Sequence, residues 1–388
     1  MSGSDLLWLL LPVAATAGWY AGRRGLSKAE STYAEYSKRF HRELNQLFSA
    51  SDENIDYLDQ LTDSDNDAAQ TQIALGNLFR YQGQIDRAIA IHENLANKDS
   101  LEPTVRAKAQ LELANDYDSA GLLDRSESAL LALIASSELQ SEACSALLRL
   151  HERQQDWATA IDVARQWQQL SGQSKSKQIS HYYCELALHE HSIGRDSAAQ
   201  QLANDALTHW PDNARAIIFL ATMALESGEY AKAIDFYDKV ENMRPELMPV
   251  IIDQHYQALQ KVGDPSQLEL FIQRIQSQRN AYSVIRKTRD VLASLRGASV
   301  ADRFFKDQIL KRPSLKGLRD WGHDQLELSK PGEQEKVRVI CELLDALAED
   351  KPLYRCQSCG FEGNVMHWRC PGCGSWDTVS TIIGVEGE

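Results

Sequence analysis

Four cysteines near the C-terminus have the spacing of a metal site. They form two pairs, Cys356 with Cys359 and Cys370 with Cys373; a glycine follows each pair, and ten residues separate the pairs. Two residues between thiolates allow a tight turn to direct both sulfurs at one ion, and the glycine can take positive φ. Four thiolates complete a tetrahedral shell for one zinc or iron ion and leave no position for water or substrate. The pattern therefore predicts a structural or regulatory metal centre.

Two other roles for these cysteines fit less well. A redox dithiol of the thioredoxin type occurs singly near a βαβ pattern, which this sequence lacks. Disulfides conflict with the uneven placement of seven cysteines, of which Cys144, Cys184 and Cys341 occur singly in helical stretches. We expect these three to be small apolar core residues in a protein from a reducing compartment. The paired layout is of the rubredoxin type, but the sequence does not separate iron from zinc.

The composition and the absence of known catalytic motifs exclude several classes of function. The chain has 388 residues, with 41 Lys and Arg against 55 Asp and Glu, for a net charge of −14. This balance lacks the basic footprint that sequence-independent nucleic-acid binding needs. The sequence contains no phosphate loop, H-E-x-x-H, G-x-S-x-G or dinucleotide fingerprint. We therefore expect a non-enzymatic protein that binds no nucleic acid.

An internal repeat occupies most of the chain between the N-terminal segment and the paired cysteines. Copies start about 34 to 39 residues apart, which is the tetratricopeptide (TPR) period of two helices per repeat. Each clear copy has a small residue, then a glycine, then a second small residue. The first small residues are Gly76, Ala114, Ala187 and Ala221, the glycines Gly83, Gly121, Gly194 and Gly228, and the second small residues Ala88, Ser126, Ala199 and Ala233. We expect the glycines to end first helices in a left-handed conformation and the small residues to allow close helix contacts. Weaker copies surround Leu147 and Tyr256.

The N-terminal segment predicts a membrane anchor. Residues 6–22 carry no charge, and Arg23 and Arg24 follow immediately. Such a helix covers roughly 25 Å, slightly short of the ~30 Å hydrocarbon core of a bilayer. A cleaved signal peptide, the alternative, carries its positive charges before the apolar run, where this chain has only Asp5. The arginines predict a periplasmic N-terminus and a cytoplasmic main body.

These features predict an all-α fold: a TPR helical-hairpin superhelix with an N-terminal transmembrane helix and a small rubredoxin-like domain that binds metal through four cysteines. The expected divisions are an anchor over 1–24, a helical linker or degenerate first repeat over 25–62, the TPR array with a C-terminal helical cap over 63–348, and the metal-binding domain over 349–388. TPR proteins bind peptides on the inner face of each first helix, although the same residues can be ordinary exposed positions. The candidate partner-binding residues are Asn77, Arg80, Asn115, Asp118, Leu188 and His191.

Three features in this order closely resemble the lipopolysaccharide assembly protein B family of Gram-negative bacteria. They are LLLPVAATAGWYAGRR, the TPR array, and YRCQSCGF with HWRCPGCGSW; LGNLFRYQGQIDRAIAIHENL and SHYYCELAL add to the likeness. The resemblance implies an inner-membrane protein that faces the cytoplasm and holds one iron or zinc ion with Cys356, Cys359, Cys370 and Cys373. It implies an adaptor that presents the deacetylase of the committed lipid A step to the membrane-bound AAA+ zinc protease.

Two alternatives remain open at this point. The protein could be a scaffold for other lipopolysaccharide assembly proteins without a role in proteolysis. It could also be a metal- or redox-sensing interaction protein that acts through the C-terminal cysteines. The sequence also leaves homo-oligomer formation open.

Overall fold

The computed structural model describes residues 66–136, 139–277, 281–330, 332–349 and 351–385. The predicted anchor over 1–24 and the segment 25–62 lie outside the described residues. Within those ranges, no helix is both long and apolar enough to cross a membrane. The described chain is mostly helical, and its strands lie near the C-terminus.

Sixteen α-helices follow one another across the described ranges. They are α1 (Asn66–Tyr81), α2 (Ile85–Ala96), α3 (Pro103–Ser119), α4 (Leu123–Ser136), α5 (Gln140–Gln154), α6 (Trp157–Ser171), α7 (Ser176–Ser192), α8 (Asp196–His209), α9 (Ala214–Glu226), α10 (Tyr230–Met243), α11 (Met248–Val262), α12 (Pro265–Ser277), α13 (Tyr282–Arg296), α14 (Ala298–Lys311), α15 (Leu315–Leu328) and α16 (Gln334–Ala348). A short 3-10 helix, Pro245–Leu247, precedes α11. Consecutive helices pack in pairs, as α1 does with α2, α7 with α8 and α15 with α16. This is the helical-hairpin repeat that the period predicts.

The described residues fall into two compact units, one up to residue 146 and one from residue 147 onwards, and the division falls within α5. In the first unit, Phe79, Ala88 and Leu95 belong to an apolar core between the hairpin helices. A Cβ atom added to Gly76 would lie 2.4 Å from Nε2 of the buried His92, so the close helix contact there requires glycine. The small residues of the repeat therefore serve the purpose that the sequence predicts.

In the second unit, the largest core joins α9 through α14. Its buried side chains include Tyr237, Tyr256, Phe271 and Phe305. The small repeat residues Ala187, Ala199, Ala221 and Ala233 are fully buried. Pro211 and Pro245 directly follow the C-caps of α8 and α10, where proline cannot continue a helix. The isolated cysteines are buried, as expected: Cys184 and Cys341 in this unit and Cys144 in the first.

The turn glycines take the predicted left-handed conformation. Their φ angles are 80° at Gly83, 76° at Gly121, 79° at Gly194 and 80° at Gly228. In the weak copy around Leu147, Gln155 stands at the equivalent turn between α5 and α6 with a φ of 59°. The hairpin geometry is thus kept at a position where the glycine is missing.

Residues 351–385, which we name the ribbon, contain a three-stranded antiparallel sheet. Its strands are β1 (Tyr354–Cys356), β2 (Glu362–Gly363) and β3 (Val379–Thr381), in the order β2-β1-β3. Tyr354 lies opposite Gly363 on one side and Thr381 on the other. The short strands hold the two cysteine turns at one end of the sheet.

Candidate metal centre and its docking surface

The structure brings the four predicted cysteines together. Their sulfur atoms all lie within 4.8 Å of one another. Cys356 Sγ is 3.9 Å from Cys373 Sγ, and Cys359 Sγ is 3.6 Å from Cys370 Sγ. Around zinc, with a Zn–S bond of ~2.3 Å, neighbouring sulfurs of a tetrahedron are about 3.8 Å apart. The donor set therefore fits one tetrahedrally bound metal ion.

Two turns of the same geometry aim the sulfurs inward. The N–H of Gly360 donates to the carbonyl of Cys356 at 3.0 Å, and that of Gly374 donates to the carbonyl of Cys370 at 2.9 Å. Both glycines have positive φ, 76° and 69°, as the C-x-x-C-G spacing predicts. The N–H of Ser358 also points to Cys356 Sγ at 3.4 Å. Each turn thus supplies two sulfurs together with N–H groups that stabilise thiolate charge.

The cysteines differ in how readily they ionise. Burial of Cys356 favours the neutral thiol. Hydrogen bonds from the Thr378 hydroxyl and from backbone N–H groups outweigh this effect and lower the pKa of Cys356 to about 6. Hydrogen bonds from Ser375 lower the pKa of Cys373. At Cys359 the N–H of Phe361 favours the thiolate, but partial desolvation and hydrogen bonds with the neighbouring sulfurs together raise the pKa to about 12. A cation is what would allow all four thiolates to coexist, as metal binding at such sites requires.

The ribbon is held against helices of its own unit by a buried carboxylate on α5. Glu152 Oε1 accepts hydrogen bonds from the Tyr182 hydroxyl at 2.5 Å and from Trp376 Nε1 at 3.1 Å. Glu152 Oε2 accepts from an Arg369 NH2 group at 3.0 Å, and the same guanidinium reaches the Glu152 carbonyl. Arg369 directly precedes the metal ligand Cys370. The second cysteine turn is therefore tied to α5 on both sides.

Trp376 fills an aromatic pocket on the helices and is only 5 % exposed. Its ring stacks on His181 with centroids 5.1 Å apart and meets Tyr182 and Trp157 edge-on at 5.8 and 5.9 Å. Neither ring nitrogen of His181 has a hydrogen-bond partner among the described residues. Burial, reinforced by the positive charges of Arg215, Lys177 and Arg244, lowers the pKa of His181 to about 3. His181 is therefore neutral at neutral pH and acts as an apolar stacking surface.

A second group of polar contacts lies beside this pocket. Asp377, whose side chain is 3 % exposed, accepts from Lys177 Nζ and from an Arg244 NH1 group, each at 3.1 Å. The Thr381 hydroxyl donates to the Glu246 carbonyl at 2.8 Å. These contacts connect β3 and the residues before it to α7 and to the 3-10 helix. The ribbon is thus packed on the helices and does not form a free tail.

The docking surface is the part of the site that the sequence analysis missed. Glu152, Lys177 and Arg244 do not occupy repeat positions that set the helical fold. The available signal in the sequence is the group of ribbon aromatics Tyr354, Phe361, Trp368 and Trp376. Tyr354 and Phe361 do pack beside the cysteines, whereas Trp368 and Trp376 face the helices.

The six candidate partner-binding residues lie on first helices of their repeats. Asn77 and Arg80 are on α1, Asn115 and Asp118 on α3, and Leu188 and His191 on α7. Leu188 is 40 % exposed, and His191 lies 2.8 Å from Asp196 Oδ1. Whether these side chains contact a partner stays a prediction.

Arg80 has a structural role in addition. Its guanidinium donates to Asp116 Oδ1 at 2.8 Å and to Glu112 Oε2 at 2.7 Å. The buried His92 places Nδ1 2.5 Å from Asp116 Oδ2 and Nε2 3.2 Å from the Ile73 carbonyl. Both imidazole nitrogens of His92 therefore have partners, and Asp116 contacts both this ring and the Arg80 guanidinium. Arg80 is therefore part of a buried ion network in the first unit.

A second cluster with metal-ligand atoms lies on α10 and α11. Asp238, Glu241 and His255 have one ligand atom each within 4.8 Å of the others. An Arg274 NH2 group donates to Asp238 Oδ1 at 2.6 Å and to Glu241 Oε2 at 3.1 Å. Because the Arg274 guanidinium already pairs with both carboxylates, this cluster is an ion network that joins α10 to α12.

Known protein families match both the helical repeats and the ribbon. A family described as "Rubredoxin metal binding domain" matches residues 354–380, and tetratricopeptide repeat families match residues 73–104, 111–175 and 192–246. The chain is 31 % identical to "Lipopolysaccharide assembly protein B" of Escherichia coli (strain K12) over 99 % of each chain. It is 26 % identical to the protein of that name from Haemophilus influenzae (strain Rd), over 98 % of this chain and 99 % of the relative. A solved structure of MamA aligns with a TM-score of 0.31 and 16 % identity, over 46 % of this chain and 93 % of that one.

Proposed function

Because the chain belongs to the lipopolysaccharide assembly protein B family, we propose that it is a non-enzymatic adaptor that regulates lipopolysaccharide biosynthesis. The observation that carries the proposal is the whole-length match to family members, over a chain of helical hairpins joined to a four-sulfur site. Helical repeats of this kind present extended binding surfaces. A closed tetrathiolate shell favours a structural role for the metal.

The proposed mechanism is proximity. The adaptor binds the lipid A pathway deacetylase and the membrane-bound AAA+ zinc protease together, which raises the effective concentration of one at the other. Residues 1–24 would hold the chain in the inner membrane with its N-terminus in the periplasm and its main body in the cytoplasm. Asn77, Arg80, Asn115, Asp118, Leu188 and His191 are the candidate contacts to one of the two partners.

The metal ion, iron or zinc, would supply folding free energy to the ribbon and no reaction step. Residues of the folded ribbon and of the helices then hold the two against each other. Glu152 fixes the second cysteine turn, and Trp376 and Asp377 fix β3 against α7. We propose that the bound metal in this way stabilises the binding surface of the second unit.

Depletion in cells tests the proposal. Without the protein, we expect the deacetylase half-life to lengthen and the lipopolysaccharide content to rise; re-expression of the full chain should reverse both effects. A chain without residues 2–24 is the informative variant, because it keeps the helical repeats but should fail to restore turnover. An unchanged deacetylase half-life after depletion would refute the adaptor mechanism.

One observation favours a second candidate, a metal- or redox-sensing interaction protein. Cys359 and Cys373 are exposed, so an iron ion held there would be close to external electron donors. Metal analysis separates the two functions. Tightly held zinc without visible absorbance would exclude the iron-redox function, whereas an iron centre whose oxidation state changes deacetylase turnover would support it. Co-purification that recovers assembly enzymes but never the protease would instead indicate a scaffold.

A further inference from the structure

The sulfur of Cys356 is contacted by donors from two parts of the ribbon. From within its own cysteine turn, the Ser358 N–H points at Sγ from 3.4 Å. From the segment that leads into β3, the Thr378 hydroxyl lies 3.3 Å from the same sulfur, although Thr378 is 22 positions away in the chain. The Gln357 N–H donates to the Thr378 carbonyl at 2.7 Å, which fixes Thr378 beside the first cysteine turn. Thr378 is therefore placed to act on the metal site without being one of its ligands.

The hydroxyl of Thr378 has one proton and two possible acceptors. The Ser375 carbonyl is 3.4 Å from Oγ1, which is longer than the usual O–H···O distance of about 2.5–3.0 Å. Because sulfur is a larger atom than oxygen, 3.3 Å to Cys356 Sγ is an ordinary contact for a hydrogen bond. A cysteine ligates a metal as the thiolate, which has no proton to donate. With a metal bound, the Thr378 hydroxyl therefore donates to Cys356.

We propose that Thr378 is a positioning residue that slows metal release from the four-cysteine site by holding the Cys356 sulfur on the ion. Hydrogen bonds from outside the ligand set fix the orientation of the ligands, and their loss typically weakens metal binding roughly 10- to 100-fold. Cys359 and Cys373 are exposed to solvent and to competing ligands, whereas Cys356 and Cys370 are buried. Retention of the ion therefore depends most on the two buried sulfurs.

The helices determine where this hydroxyl lies. Asp377, directly before Thr378, has a φ of 55°, a left-handed conformation that Asp adopts more readily than most residues. Its carboxylate is 3 % exposed and accepts from Lys177 Nζ on α7 and from an Arg244 NH1 group at the C-cap of α10, each at 3.1 Å. These two cations therefore hold the turn that places Thr378 at the metal site.

Docking of the ribbon thus controls metal retention as well as depending on it. The coupling acts in both directions, because a free energy shared between two sites is reciprocal. Displacement of Asp377 from Lys177 and Arg244 should therefore also speed metal release. The inference rests on the proposed metal centre and not on the adaptor role, so an unchanged deacetylase half-life would refute the adaptor and leave the measurements below unaffected.

Zinc release from the full-length chain in detergent tests the role of Thr378. Thr378→Val keeps the side-chain shape without the hydroxyl and should speed zinc transfer to an excess of a coloured chelator by roughly tenfold. Thr378→Ser restores a hydroxyl and should release zinc within about threefold of the wild-type rate. The matched control is Thr381→Val, because the Thr381 hydroxyl donates to the Glu246 carbonyl and not to a sulfur. Its rate should stay within about twofold of wild type.

The absorption of the same variants loaded with cobalt(II) reports on the sulfur itself. Loss of a hydrogen bond raises the energy of the sulfur lone pair, so the thiolate-to-cobalt band of Thr378→Val should move to longer wavelength. Thr378→Ser and Thr381→Val should keep the wild-type band. The role of Thr378 is disproved if Thr378→Val releases zinc no faster than Thr378→Ser or Thr381→Val, if its cobalt band is unshifted, or if the wild-type chain binds neither metal.

A double-mutant cycle tests the contribution of the helices. Lys177→Gln combined with Arg244→Gln should speed zinc release in the wild-type background. The same pair should add little to Thr378→Val, because both changes remove the same hydrogen bond. Equal acceleration in the two backgrounds, or none in the wild type, would overturn the role given to Asp377.

Discussion

At the scale of single residues, Glu152 has the widest influence on the metal-bearing end of the chain. It is 7 % exposed and accepts from three donors that belong to α7 and the ribbon. A buried carboxylate is stabilising only while its partners remain, because each lost acceptor leaves a desolvated donor behind. Loss of the Glu152 contacts should therefore lower the stability of the whole second unit.

Replacement of this carboxylate gives the first prediction. Glu152→Ala should lower the free energy of unfolding of the second unit by about 3 kcal/mol, because Tyr182, Trp376 and Arg369 lose their shared acceptor. Chemical denaturation followed by tryptophan fluorescence measures it. The matched control is Glu229→Ala, whose side chain is 55 % exposed and pairs with Lys232; it should cost less than about 0.5 kcal/mol. Equal losses for both variants would contradict the role given to Glu152.

The second prediction concerns pH and His181. Its pKa is about 3 in the folded protein, against 6.5 for an ordinary histidine, so acid favours the unfolded state. The stability that neutral His181 provides is complete above pH 6.5 and is lost progressively as pH falls towards 3. Between pH 7 and pH 5 the wild-type protein should lose about 2 kcal/mol more than His181→Phe, which keeps the stacking on Trp376. Denaturation curves of both proteins at pH 7 and pH 5 measure this difference in the free energy of unfolding. Equal losses in the two proteins would show that His181 is protonated in the folded state.

At the scale of the elements, the helical hairpins were predictable because each repeat encodes its own geometry locally. The spacing from Gly76 to Gly83 to Ala88 specifies a close contact, a left-handed turn and a second close contact, and the structure confirms all three. The docking of the ribbon was not predictable in this way. Arg369 and Glu152 are 217 positions apart, and no local pattern relates them. The four cysteines were found because their spacing alone defines the site.

The turn between α5 and α6 gives the third prediction. Gln155 holds a φ of 59°, a conformation in which a side chain is strained and glycine is not. Gln155→Gly should therefore raise the free energy of unfolding by about 0.5 kcal/mol, after the entropy cost of glycine is included. The neighbouring Gln154→Gly is the control, since Gln154 lies within α5 and glycine there should cost up to about 1 kcal/mol. Thermal denaturation of the two variants should shift in opposite directions.

At the scale of the whole molecule, the structure changes the expected effect of metal loss. The sequence predicts a metal-binding domain over 349–388 as a division of its own beside the helical array. In the structure, Met366, Trp368 and Ile383 of the ribbon pack against the core of the second unit. Loss of the metal should therefore expose apolar surface on the helices as well as unfold the ribbon.

This gives the fourth prediction. Cys356→Ser, or removal of the ion by a chelator, should preserve most of the far-UV helical signal but lower the melting temperature by several degrees. Trp376 should leave its pocket and shift its fluorescence to longer wavelength. The matched control is Ser358→Ala, which lies between two ligands and contacts Cys356 only through its backbone N–H. An unchanged melting temperature in Cys356→Ser would mean that the ribbon does not stabilise the helices.

The adaptor mechanism itself is tested most directly by reconstituted proteolysis. The purified membrane-bound protease and the deacetylase are mixed with increasing amounts of the full-length chain, and the rate of deacetylase degradation is followed. We expect the rate to rise and then to fall at excess adaptor, because separate copies then occupy the protease and its client. Cys356→Ser should give a smaller rise than Ser358→Ala. A degradation rate that is the same with and without the chain would contradict the account.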